Sequence, residues 1–412
     1  MDHLFRTQSG QMVALLTRVF GPAHLGLAEE VVQDALVKAL QQWPLAGVPD
    51  NPPAWLMRVA RNGALDVLRR HAAFRDRAAD VEAELRRHED ASRAHDPLGM
   101  GIGDDELRMV FMCCHPSIPR DARVALSLKI AGGFSVREIA RAFLAPEAAI
   151  AQRLVRAKRA LRVEGVSLDL PSGAALAERL EAVLEVIYLM FNEGYGAEGG
   201  DDLIRADLCR EALRLGRALA ASPLTATPAA HALVALMAFQ AARFDARVDA
   251  DGEMVLLEEQ DRARWDARLI ALGFRHLAMS AEGPHMSAYH AQAAIAALHA
   301  QTASAAETPW ASILARYDDL MDVARSPVVA LNRAVALAKV DGAVAGLDAI
   351  GDIARAPELA GYHLLWSVKG QLFAEAGQLG EARDAYEKAL ALPCSEPERR
   401  FLRRRLAALD IS

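Results

Sequence analysis

Residues 147–159 carry side chains suited to reading duplex DNA: Ala148, Gln152, Arg153, Arg156, Lys158 and Arg159. At about 100° per residue, Ala148, Gln152, Arg156 and Arg159 share one helical face, and Arg153 and Lys158 flank it. Glutamine and arginine can hydrogen-bond base edges, alanine allows close approach, and outlying cations hold phosphates. Ile150, Leu154, Ala157 and Leu161 fall on the opposite stripe, where a core would take them. The residues before this helix complete a helix-turn-helix pattern. Gly132 and Gly133 close one helix, and Ser135 with Glu138 forms a capping box that opens the next. Leu144–Ala145 make the turn and Pro146 suits a first helical position, although many such turns place glycine where Leu144 stands. A solvated basic face on an ordinary helical hairpin is the competing reading. The capped first helix and the short turn favour DNA.

A second constellation lies at 53–70. Trp55, Arg58, Asn62, Leu65, Asp66 and Arg69 share its outer face with Arg61 nearby, opposite an inner stripe of Leu56, Val59, Ala60, Gly63 and Val67. Rings, amides and guanidinium groups interleaved in this way suit a single strand, whose bases stack on rings while cations follow its backbone. The alternatives are a Trp55 packed in the core and arginines that answer the helix macrodipole. The helix at 28–43 turns Val32, Ala35, Leu36, Ala39 and Leu40 inward. It shows Glu30, Asp34, Val37 and Gln41 outward, with Glu29 and Gln33 at the edge. An acidic, partly apolar face suits a protein partner of basic and partly apolar surface; a merely solvated face fits equally.

Other reactive residue types assemble into nothing catalytic. Cys113, Cys114 and His115 are adjacent, which does not easily close a tetrahedral metal site, and no second C-x-x-C or H-x-x-H is near. They are expected to be buried thiols. In FNEGY, Gly194 is expected to end a helix over 178–193, with Phe191 and Tyr195 packing on neighbours. No phosphate-binding loop, nucleophile elbow or metalloprotease motif occurs, so neither enzyme activity nor a cofactor is expected.

Helices must position these groups. The 412-residue chain is 52% apolar, a globular level, and Ala and Leu supply most of that while aromatics are 6%. Glycine- and charge-rich stretches divide it into a module at 1–75, a linker at 76–103, a module at 104–165 and a helical region at 173–412. Residues 1–165 hold 23 basic and 20 acidic side chains, and the remainder 24 and 34, so the net charge of −7 hides an acidic C-terminal part. Trp366, Gly370, Phe373, Ala382, Tyr386 and Ala389 fall at the spacings of a 34-residue tetratricopeptide (TPR) repeat, with a degenerate copy around 331–350. No apolar run long enough for a membrane span and no secretory signal are present, and four cysteines make no disulfide framework, so a cytoplasmic protein is expected.

AEEVVQDALVKALQQW with NPPAWLMRVARNGALDVLRR resembles region 2 of extracytoplasmic-function sigma factors. DDELRMVFMCCHP and the helix-turn-helix after it resemble their region 4. FMCCHP, VLEVIYLMFNEGY and the terminal repeat are similar to the subgroup with a long TPR-like helical extension, so the likeness spans nearly the whole chain. The resemblance implies an all-α fold of two small DNA-binding modules followed by a helical array. It further implies that Glu29, Glu30, Gln33 and Asp34 dock on the β′ coiled coil of core RNA polymerase. The loop Trp43–Pro52 and the helix bearing Trp55, Arg58, Arg61, Asn62, Arg69 and Arg70 would bind the −10 element, and 147–159 the −35 element. The expected function is promoter selection with core polymerase, the extension regulating access alone or with a protein partner. A helix-turn-helix regulator with a ligand-sensing array and a TPR-type scaffold are the alternatives. Only promoter melting gives the Trp/Asn/Arg face at 53–70 a role.

Overall fold

The structure, a computed structural model, describes residues 2–70, 104–143, 145–196, 204–249, 253–283 and 285–409. Leu144 lies outside these residues, as do the whole of the charged stretch 75–103 and the side chains of Arg69 and Arg70. The architecture is all-α: among the described residues a single isolated bridge, Val248 with Met254, departs from helix and loop. Two compact units divide the chain, Met1–Met190 and Phe191–Ser412.

The first unit opens with α1 (Asp2–Phe20), α2 (Leu25–Ala46) and α3 (Pro52–Arg70), which pack on one another. Leu25, Ala28, Val31, Val32, Ala35, Ala39 and Trp43 form the buried stripe of α2. Its small central residues let neighbouring helices close in. This stripe leaves Leu40, expected inside, roughly a quarter-turn off axis and 58% exposed. The Asn51 side chain starts α3 by accepting the Ala54 N–H at 3.1 Å. Leu56, Ala60 and Ala64 are buried along it, and so is Leu65, which the sequence reading placed outside. Burial of a leucine is worth about 2 kcal/mol, which outweighs an idealised helical wheel.

The same unit continues with α4 (Asp104–Cys113), α5 (Arg120–Ile130), α6 (Val136–Ala142), α7 (Glu147–Val163) and the start of α8 (Ala174–Tyr195). The capping box before α6 is present and reciprocal. The Ser135 N–H donates to Glu138 Oε2 at 2.7 Å, and the Glu138 N–H to Ser135 Oγ at 3.1 Å. Pro146 is the N-cap of α7, one residue earlier than expected. Its fixed φ of −59° with ψ of 140° suits a cap that is not yet helical.

In the second unit come α9 (Ala206–Ala221), α10 (Pro228–Ala241), α11 (Ala267–Ser280), α12 (Ala288–Ala300), α13 (Trp310–Val323) and α14 (Pro327–Asp341). The chain ends with α15 (Ala343–Ile353), α16 (His363–Glu375), α17 (Leu379–Ala391) and α18 (Glu396–Ala408). From α12 onward each helix packs on its chain neighbours. Helix α10 is apolar all round and buried by α9, α11 and α12, the environment such a helix requires. In the hairpin of α16 and α17 a Cβ on Gly370 would lie 2.7 Å from the Tyr386 ring, so a small residue sets that approach. Gly194 behaves similarly and does not end its helix. Helix α8 runs on to Tyr195, and a Cβ on Gly194 would meet Cys209 Sγ at 2.7 Å and the Arg205 carbonyl at 2.8 Å. Close packing on α9, not a left-handed cap, requires the glycine. Phe191 and Tyr195 stack on each other at 5.8 Å.

Candidate nucleic-acid interface

On α7 the separation of faces is complete. Ile150, Leu154, Ala157 and Leu161 are buried, whereas Ala148, Gln152, Arg156 and Arg159 are exposed. Arg153 and Lys158 are half-buried at the margins. Val155, 66% exposed, sits within the same face and was missed by sequence reasoning. An exposed valine amid arginines is costly in water but fits a thymine methyl in a major groove. The marginal cations already have partners: Arg153 Nε lies 3.5 Å from Asp121 Oδ2, and Lys158 Nζ is bonded to Glu29 Oε2.

In the first module α3 exposes Arg58 and Asn62, one turn apart, and half-buries Arg61. Trp55 is half-buried, its ring set edge-on against buried Trp43 at 5.5 Å and 64°. It is therefore in part a core residue that leaves the remainder of its ring accessible. Beside it, where α2 gives way to the loop, Leu45 is 90% exposed and Val48 53% exposed. The loop expected from Trp43 begins only after Ala46, so Leu45 ends α2 on its solvent side and Val48 follows in the irregular segment, where no periodicity marks it. On α2, Glu30, Gln33 and Asp34 are exposed together with Val37, Leu40 and Gln41, an acidic surface with two apolar side chains. Glu29 is turned away from that set, half-buried against Lys158.

The two modules touch each other within the first unit. Arg18 of α1 donates to Asp105 of α4 at 3.1 Å, both partly buried. Gly10 of α1 abuts the end of α5, where a Cβ would stand 2.4 Å from the Ala131 carbonyl oxygen. Glu29 and Lys158 complete the contact, with side-chain exposures of 13% and 24%. A pair so far withdrawn from water is screened less than a surface one. This contact brings together one residue expected to meet polymerase and one expected to meet the −35 element.

Cys113 and Cys114 are fully buried, and burial pushes the Cys114 thiol up to about 12, so it stays protonated and unreactive. Among the described residues no cluster of three His, Cys, Asp or Glu side chains could hold a metal, and no helix is long and apolar enough to cross a membrane.

Comparison with known families agrees with this division. The family described as Sigma-70 region 2 matches residues 4–74, and that described as Sigma-70, region 4 matches residues 108–161. A family of unknown function, DUF6596, matches residues 179–281. A protein of Rhizobium meliloti (strain 1021), described as uncharacterized, is 41% identical over 400 residues, covering 96% of this chain and 92% of its own length. No solved structure gives a significant match.

Proposed function

We propose how the parts of this chain, which belongs to the extracytoplasmic-function type of sigma-70 factors and carries a C-terminal extension, divide the work of promoter selection. As a sigma factor it binds core RNA polymerase and directs it to promoter DNA. In our reading Glu29, Glu30, Gln33 and Asp34 meet the β′ coiled coil, with exposed Val37 and Leu40 supplying apolar contact beside the carboxylates. The −10 element is opened and held by Trp55, Arg58, Arg61, Asn62, Arg69 and Arg70, with Leu45 and Val48 as apolar wedges. Helix α7 enters the major groove at the −35 element through Ala148, Gln152, Arg153, Arg156, Lys158 and Arg159.

The observation that carries this reading is the exposed Gln152/Arg156/Arg159 face of α7 over a fully buried apolar stripe. The bond between Lys158 and Glu29 adds a condition. While it holds, neither residue is available to its own partner, so the free protein rests in a closed arrangement that polymerase binding must open. The helical region from 173 onward, read as a TPR-like array, regulates that opening. Run-off transcription with core polymerase tests the scheme, comparing the full chain with one truncated after residue 165. Higher output from the truncated chain marks the extension as inhibitory, and lower output marks it as required. No promoter-dependent transcript from the full chain on any mapped promoter would refute the assignment of the two modules.

A further inference from the structure

The second unit contains a cationic cluster that promoter binding leaves unused. Arg243 follows α10, and Arg262 lies in the short turn before Trp265. Their guanidinium carbons stand 5.5 and 5.2 Å from the centroid of the Trp265 ring, and that residue is 6% exposed. Every acceptor they meet is neutral. Arg243 donates to the side-chain oxygens of Gln260 at 3.2 Å and Gln240 at 3.5 Å. Arg262 donates to the carbonyls of His299 at 2.7 Å and Thr302 at 3.0 Å, and to the hydroxyls of Thr302 and Thr308. Among the described residues neither arginine has an ion pair. Glu307 acts on Arg262 only through space, and its carboxylate accepts the Ala303 N–H at 3.3 Å.

Two atoms here want an acceptor and have none. Arg262 Nε and Trp265 Nε1 are buried without a hydrogen-bond partner. Both can only donate, so neither can satisfy the other. His299, 8% exposed, adds a third buried nitrogen without a partner, Nδ1. Burial, and then the fields of Arg243 and Arg262, hold that imidazole down to about 3, so it is neutral and reports the positive potential around it. Half-buried cations without a counter-charge and orphaned buried donors each cost free energy, and one species removes both costs.

We propose that Arg243, Arg262, Trp265 and His299 form a binding site for a small molecule bearing a compact oxyanion, a phosphate or a carboxylate group. The oxyanion accepts from Arg262 Nε, Trp265 Nε1 and a terminal nitrogen of Arg243. Trp310, which meets the His299 ring edge-on at 5.4 Å, continues the aromatic wall. A small-molecule site in this unit makes the extension a sensor as well as a structural appendage.

Calorimetric titration of the full chain at low ionic strength, with inorganic phosphate and separately with acetate, tests the site. Saturable binding of one or both is expected, and which one binds identifies the group. Arg243→Met should weaken it at least about ten-fold, the loss of one charge-assisted hydrogen bond. Trp265→Phe keeps an aromatic ring but removes the N–H together with the five-membered ring that carries it, and should weaken binding about three- to ten-fold, while Arg275→Gln on the exposed side of α11 leaves it unchanged. The His299 ring resonances should titrate at higher pH with the anion bound, a change that a purely structural arginine cluster does not produce. Absence of saturable binding for both anions overturns the proposal. So does affinity unaltered by Trp265→Phe, a variant that serves even where Arg243→Met destabilises the fold.

Discussion

Arg156 and Gln152 stand one turn apart on α7, exposed and backed by buried Leu154 and Ala157. Neither has a packing duty, so truncation removes recognition and little else. If the pair reads base edges, Arg156→Ala or Gln152→Ala should cost about 1–3 kcal/mol at the contacted base pair and flatten preference there. Transcription by the holoenzyme across a set of −35 variants measures this; unchanged selectivity in both variants would mean the wrong face has been assigned. At this scale the sequence was a good guide wherever a residue's neighbours lie within two helical turns. It placed Gln152, Arg156, Arg159, Arg58 and Asn62 outside correctly. It could not foresee that Lys158 meets Glu29, 129 positions away, or that Trp55 leans on Trp43, since only the tertiary fold brings those partners together.

The elements themselves were legible where a cap or a stop marks them. Ser135 and Glu138 announce α6, and Gly and Pro clusters separate the helices after residue 222. The misreadings share one physical cause. Leu40 and Gly194 were judged from their own helix, whereas burial is decided by which neighbour covers it and how closely. The contact between α1 and α5 has the same character and yields a test. Gly10→Leu would drive a side chain into the Ala131 carbonyl, an overpacking that costs about 1–3 kcal/mol. The two modules should part while each keeps its helices. Small-angle scattering should therefore show a larger radius of gyration with an unaltered far-ultraviolet dichroism spectrum. Unchanged dimensions would show that the α1–α5 contact is not what holds the modules together.

The molecule as a whole combines a slightly basic DNA-binding part with an acidic extension rich in buried histidine. Burial holds His299 down to about 3, and burial with neighbouring His231 holds His276 down to about 4, against 6.5 in the unfolded chain. The folded state therefore binds fewer protons than the unfolded state over this interval. Stability is full above pH 6.5 and declines as pH falls toward the folded-state values. His299 alone should remove about 2 kcal/mol between pH 7.5 and pH 5, and His276, half-buried, less than that. Urea midpoints followed by tryptophan fluorescence at the two pH values measure the loss, and His299→Gln should flatten it. A final consequence concerns the search for promoters. A lysine engaged with a glutamate in its own chain is a lysine withheld from random phosphates, and affinity for random DNA rests on such charges. The unattached factor would hold random DNA less tightly by that one charge, and the many competing genomic sites would deplete it less. Capture by polymerase would return that charge to the DNA-facing surface, so the factor's own hold on the chromosome is weakest before it is captured.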